Sequence, residues 1–89
     1  MVWTIRVSPA AEKQLRRLDK IVASRIKRYM HEHVATLDDP RLAGKALRGP
    51  LNHRWRYRVG DYRVLCDIID REVIIVVVEI DHRSRVYRD

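Results

Sequence analysis

The sequence predicts an α+β domain of order β-α-α-β-β-β, a small, mostly antiparallel sheet with a helical hairpin packed on one face. Three observations predict it. Two segments with helical spacing of apolar residues follow one another with almost no linker, at about 9–18 and 20–37. The period then changes to two at Arg54-Trp55-Arg56-Tyr57-Arg58-Val59, where basic and apolar residues alternate strictly. Gly60-Asp61 follows as a two-residue turn signal, and two further strand-like runs complete the chain.

Each element has a local cause. Val2–Val7 is rich in β-formers, with Trp3, Ile5 and Val7 on one face. Ser8 can cap a helix and Pro9 suits its first position, so a helix is expected from Pro9 to about Leu18, with Ala11, Leu15 and Leu18 inward. Asp19 is the expected cap of a second helix, Lys20–Leu37, whose stripe is Val22, Ile26, Tyr29, Met30, Val34 and Leu37. Asp38-Asp39-Pro40 ends it, because proline disfavours helix in the residue before it. Arg41–Asn52, with Gly44, Gly49 and Pro50, reads as a loop with one helical turn. Tyr62–Asp70 is the partner of the alternating strand. Val73–Ile80 reads as an interior strand whose unbroken apolar run leaves its facing open.

The 89 residues make one domain, 1–89, near the lower limit for folding without staples. One cysteine, Cys66, excludes an intrachain disulfide framework and fits a reducing compartment. The charged first twenty residues lack the apolar segment of a signal peptide, and no apolar run reaches membrane-spanning length. A soluble, cytoplasmic protein with no membrane partner is expected. His31 and His33 sit two apart on a helix and diverge, His53 stands alone, and no Gly-rich phosphate loop occurs, so no metal or cofactor is expected.

Net charge is +7, which favours polyanionic partners. The charge is uneven. Residues 41–63 hold seven basic side chains (Arg41, Lys45, Arg48, Arg54, Arg56, Arg58, Arg63) against Asp61 alone, whereas residues 64–81 hold Arg71 against five acids. A two-residue turn at Gly60-Asp61 sets Arg58 opposite Arg63, Arg56 opposite Leu65 and Arg54 opposite Asp67. Arg54, Arg56, Arg58 and Arg63 therefore share one face, and Trp55, Tyr57, Val59, Tyr62, Val64, Cys66 and Ile68 the other. Like charges directly across a strand pair cost stability unless an anion lies between them. A solvated edge face is the plain alternative, but such faces use Lys mixed with Glu, while all four here are Arg, the residue suited to bidentate phosphate contact. In the tail, His82 is a residue type that can donate or accept a proton, and Tyr87 beside several arginines would ionise more readily than usual.

Leu47-Arg48-Gly49, then Trp55 through Val64, then His82-Arg83-Ser84-Arg85-Val86-Tyr87 resemble the RelE family of the RelE/ParE toxin superfamily, over essentially the whole chain. The resemblance implies a bacterial type II toxin, a metal-independent, ribosome-dependent endoribonuclease that cleaves mRNA in the A site. The 2′-hydroxyl would attack the adjacent phosphate, and a RelB-like antitoxin would neutralise the toxin. It implies catalytic roles for Arg56, Arg58, Arg63, His82, Arg83 and Tyr87, with Lys45, Arg48, Arg54, Arg85 and Arg88 binding RNA. Arg56 removes the proton transfer that a lysine would offer there, leaving acid–base work to His82 and Tyr87. Asp81 stands where the family often has Gly; a carboxylate there would oppose RNA binding or orient His82. The alternatives are a ParE-like DNA gyrase inhibitor without nuclease chemistry, and a plain nucleic-acid-binding module.

Overall fold

The computed structural model describes residues 2–51 and 53–82. Five strands, β1 (Thr4–Val7), β2 (Lys45–Ala46), β3 (Trp55–Val59), β4 (Tyr62–Ile69) and β5 (Ile74–His82), form one sheet in the order β1-β5-β4-β3-β2. Helices α1 (Pro9–Arg17) and α2 (Lys20–Arg28) cover one face. The predicted α+β class and element order hold, with two additions. The Arg41–Asn52 segment contributes the short β2, and β1 pairs with β5 in parallel, so the sheet is mixed.

The caps act as the sequence predicts. Ser8 Oγ accepts from the Ala11 amide at 3.1 Å, and Asp19 accepts from Ile21 at 3.4 Å. The second helix changes pitch: Tyr29–Val34 forms a π-helical turn, in which the Ala35 amide donates to the Met30 carbonyl at 2.9 Å. Met30, Val34 and Ala35 stay buried across that change, while His31 and His33 face solvent. The first strand starts at Thr4 because the Trp3 amide donates to the Ala35 carbonyl instead of to a strand.

The core lies between helices and sheet, with Ala11, Leu15, Ile26, Met30 and Val34 meeting Tyr57, Val64, Cys66, Ile75 and Val77. Burying this apolar face is the main stabilising term for so short a chain. Cys66 is fully buried, and burial pushes its thiol pKa up, so it packs as a small hydrophobe.

A bulge between Leu65 and Cys66 resolves the facing of β5. Leu65 pairs with Glu79 and Cys66 with Val77, so Val78 is the extra residue. Ser8, the cap of α1, and Gln14 within the helix take up backbone groups freed there. Ser8 Oγ donates to the Val78 carbonyl at 2.9 Å, and Gln14 Oε1 accepts from the Ile80 amide at 2.8 Å. Ile75, Val77 and Ile80 thus face the helices, while Glu79 and Asp81 fall on the outer face beside β4.

Candidate functional site

The β3–β4 hairpin closes as the sequence register requires. Arg58 pairs with Arg63, Arg56 with Leu65 and Val59 with Tyr62. Gly60 has φ +59 at the first turn position, the conformation of a primed hairpin turn. On the inner face Tyr57, Val59, Val64 and Cys66 are buried. On the outer face the arginines stand in rows across the strands.

Segment 40–46 completes that face and is held from beneath. The Tyr57 hydroxyl donates to the Pro40 carbonyl at 2.7 Å, and Trp55 Nε1 donates to the Ala43 carbonyl at 2.6 Å. Gly44, at φ +73, lies so close to β3 that an added Cβ would collide with the Arg56 carbonyl oxygen. These contacts set Lys45 directly across from Arg56. A hollow of about 260 Å³ is lined by Gly44, Lys45, Arg56, Tyr57, Arg58 and Arg63. It shares Lys45, Arg56 and Arg63 with a groove of about 850 Å³ that runs past Leu47, Arg48 and Pro50.

The rows differ in how far they are neutralised. Arg54 Nε lies 3.5 Å from Asp67 Oδ1, as their expected pairing across the strands predicts. Among the described residues no acid lies within salt-bridge distance of Lys45, Arg56, Arg58 or Arg63, and the buried Nε of Arg63 has no hydrogen-bond partner. The Nε of Arg54 is likewise buried without a hydrogen bond, so what sets the Lys45, Arg56, Arg58 and Arg63 group apart is the lack of a neighbouring acid rather than one unpaired donor.

Two features of the site escape sequence reasoning. Asp81 pairs with Arg63 and Glu79 with Leu65, so carboxylates border the cation rows on the β5 side. Burial, followed by the charge of Asp81 and a hydrogen bond with it, raises the Glu79 pKa against the opposing pull of Arg54 and Arg63. The five acids of residues 64–81 were the visible signal. Their facing was hidden by the apolar run before them and the bulge at Val78. The second is Leu65, an outer-face residue that is nonetheless buried among these charged side chains.

His82 does not join the arginines. It pairs with Tyr62, and the two rings meet edge to face at 4.9 Å. Strand alternation therefore puts its imidazole on the face opposite Arg63 and Asp81. Arg48 is exposed along the groove. Arg83, Arg85, Tyr87 and Arg88 lie outside the described residues.

Together, Lys45, Arg56, Arg58 and Arg63 can hold anionic groups and stabilise charge developing on them. Arg cannot exchange protons near neutrality. No group of His, Cys, Asp and Glu among the described residues could hold a metal ion, and no helix among them is long and apolar enough to cross a membrane.

A helical hairpin on a five-stranded mixed sheet with such a cationic outer face defines a small toxin fold of the RelE type. The family described as "ParE toxin of type II toxin-antitoxin system, parDE" matches residues 5–87, and the chain belongs to that family. It is 28% identical over 88 residues to toxin RelG of Mycobacterium tuberculosis, covering 99% of both chains. It is also 28% identical over 86 residues to the mRNA interferase toxin RelE of Escherichia coli, covering 96% of this chain and 87% of that one. Among solved structures it superposes on the toxin–antitoxin complex RelBE2 of M. tuberculosis with TM-score 0.84, at 26% identity and 94% coverage of each chain. The isolated E. coli RelE toxin gives TM-score 0.72 at 25% identity, over 96% of this chain and 90% of that one. The expected RelE-type toxin of the RelE/ParE superfamily is borne out.

Proposed function

We propose that this type II toxin is an mRNA endoribonuclease that acts on ribosome-bound message in the cytoplasm, by attack of a 2′-hydroxyl on the adjacent phosphate. The O2′–P bond forms as the P–O5′ bond breaks. Arg56, Arg58 and Arg63, joined by Arg83, stabilise the pentavalent phosphate, and the positive charge they supply does the work a metal would otherwise do. The carrying observation is the outer-face hollow, where Lys45, Arg56, Arg58 and Arg63 converge with no acid among the described residues within salt-bridge distance. Lys45, Arg48, Arg54, Arg85 and Arg88 extend RNA contact in this reading. A RelE relative is named an mRNA interferase, which supports the same reading.

The proton steps fall differently from the sequence expectation. With His82 turned to the other face, Tyr87 is the proton carrier of choice, and His82 supports Tyr62 at the sheet end. The partner in this proposal is a RelB-like antitoxin, since the similar M. tuberculosis chain was solved in a toxin–antitoxin complex. An acidic, amphipathic segment that folds on binding would suit the cationic face.

A second reading, a ParE-like gyrase inhibitor, is favoured by that same displacement of His82 and by the family's description. Incubation with translating ribosomes and mapping of mRNA 5′ ends separates the two. The wild type should produce discrete new ends. Arg63→Ala should lower cleavage on the order of a hundredfold or more with the fold unchanged. Full cleavage by Arg63→Ala would sink the assignment, and gyrase poisoning without new ends would establish the second reading.

A further inference from the structure

A separate hollow of about 430 Å³ lies on the helix side, where the end of α2 meets the tip of the β3–β4 hairpin. Buried Val59 and half-buried Tyr29 line it together with the exposed Arg25, His33 and Arg58. Arg25, Tyr29 and His33 follow at four-residue spacing, so they share the helix face turned to the hairpin. The Tyr29 and His33 rings stand 5.0 Å apart with a 39° tilt. Tyr29 leans in turn on the buried Tyr57 ring, 6.4 Å between centroids, while His33 is open to solvent. The helix passes into its π-helical turn here, a distortion frequent at functional sites. The Arg25 guanidinium lies over the hairpin tip, where a Cβ added at Gly60 would come within 3.1 Å of Nη1. Arg28 is taken by Glu32 at 3.3 Å. Among the described residues no acid lies within salt-bridge distance of Arg25 or Arg58. Desolvation raises the Tyr29 pKa, so a neutral phenol and two unneutralised guanidinium groups line the hollow.

We infer that this hollow is a nucleotide site, in which a base stacks on His33 and Tyr29 while its phosphate is held by Arg25 and Arg58. Its volume falls within the roughly 300–1,000 Å³ of small-ligand sites. A planar base suits the aromatic pair, because every base offers a π-face, and arginine forks suit phosphate oxygens. The site shares only Arg58 with the hollow on the outer face and stands whether or not that face cleaves RNA. An acidic peptide would also meet the arginines, but carboxylates leave the open His33 ring without a stacking partner. The base and phosphate can come from a free nucleotide or from one unit of an RNA strand, since the recognition chemistry is the same.

The test titrates the full chain at low salt with amide NMR shifts as the readout. The probes are AMP, adenosine, ribose 5-phosphate and a 2′-O-methyl tetraadenylate, which lacks the attacking hydroxyl. AMP should shift the amides of residues 25–33 and 58–60 and bind about tenfold tighter than adenosine or ribose 5-phosphate. His33→Ala should weaken AMP about fivefold or more and leave ribose 5-phosphate unchanged. His33→Phe, which keeps a flat ring, should retain AMP binding. Arg25→Gln should bring AMP close to the level of adenosine and leave adenosine unchanged. Displacement of AMP by the tetranucleotide, with shifts at the same amides, would identify an RNA strand as the source. AMP that stays bound beside the tetranucleotide would identify a free nucleotide. AMP binding no tighter than ribose 5-phosphate would overturn the site, as would His33→Ala weakening both ligands by one factor. Tighter binding at these amides of acetylated, amidated Asp-Asp, which matches the charge of AMP, would overturn the nucleotide assignment in favour of an acidic peptide.

Discussion

The two faces of the β3–β4 hairpin carry the same alternation and answer to different physics. On the helix side Tyr57, Val59, Val64 and Cys66 are close-packed, and Tyr57 also donates its hydroxyl to the Pro40 carbonyl. On the outer side Arg56, Arg58 and Arg63 crowd like charges together and leave a buried donor without a partner. One face is optimised for folding. The other holds an arrangement that folding alone would not select, which is how a functional surface departs from local rules.

Tyr57 is the sharpest probe of the inner face. Tyr57→Ala should cost about 3–5 kcal/mol, since truncating a buried aromatic removes its transfer energy and leaves a cavity. That is a large part of the roughly 5–15 kcal/mol typical of a small domain. Tyr57→Phe keeps the ring and leaves the Pro40 carbonyl unpaired, so it should cost about 1–2 kcal/mol. Urea denaturation of both variants checks the pair. If Phe costs as much as Ala, the hydroxyl's hold on segment 40–44 matters more than packing. Burial raises the Tyr57 pKa, so its phenol stays protonated and able to donate through the neutral range.

Arg58 probes the other face with the opposite sign. Arg58→Ser removes a like-charge pair and should raise stability by about 0.2–1 kcal/mol while weakening binding of single-stranded RNA. Calorimetric melting and salt-dependent RNA titration on the same preparation would show the two effects diverging. A variant that lost both stability and affinity would mean that Arg58 serves mainly as packing.

Much of this contrast was legible in the sequence. Strict alternation and a Gly-Asp turn leave one register for a hairpin, so the cross-strand partners of Arg54, Arg56 and Arg58 follow from counting. Ser8-Pro9 and Asp19 mark helix starts by chemistry that acts within three residues. What stayed hidden depended on distant parts of the chain. The π-helical turn at Tyr29–Val34 keeps Val34 and Ala35 inward, and no local signal announces it. Strand β2 is two residues long and exists because Trp55, Tyr57 and the space at Gly44 draw the loop onto β3. The bulge at Val78 relies on Ser8 and Gln14 to take up freed backbone groups, and it determines that Glu79 and Asp81 border the arginines. The catalytic role expected of His82 follows from the resemblance alone, and its contact with Tyr62 across β4 and β5 has no local signal in the sequence.

The β5 flank supplies the finest test of the two-face contrast. The raised pKa of Glu79 means that the native chain holds this proton more tightly than the unfolded chain does. Its contribution to stability is therefore present at acidic pH and lost as pH rises from the ordinary glutamate value of 4.5 through the raised native value. Glu79→Gln removes that loss. Its urea midpoint should match wild type in acid and exceed it modestly at neutral pH, the gap opening across the carboxylate range. Single-stranded RNA should also bind somewhat more tightly at neutral pH, because a negative charge beside Arg63 is gone. If the variant kept the wild-type pH slope and gained no RNA affinity, Glu79 would not be the residue that borders the arginines. The acid directly opposite Arg63 would then be the group that sets the edge of the cationic surface.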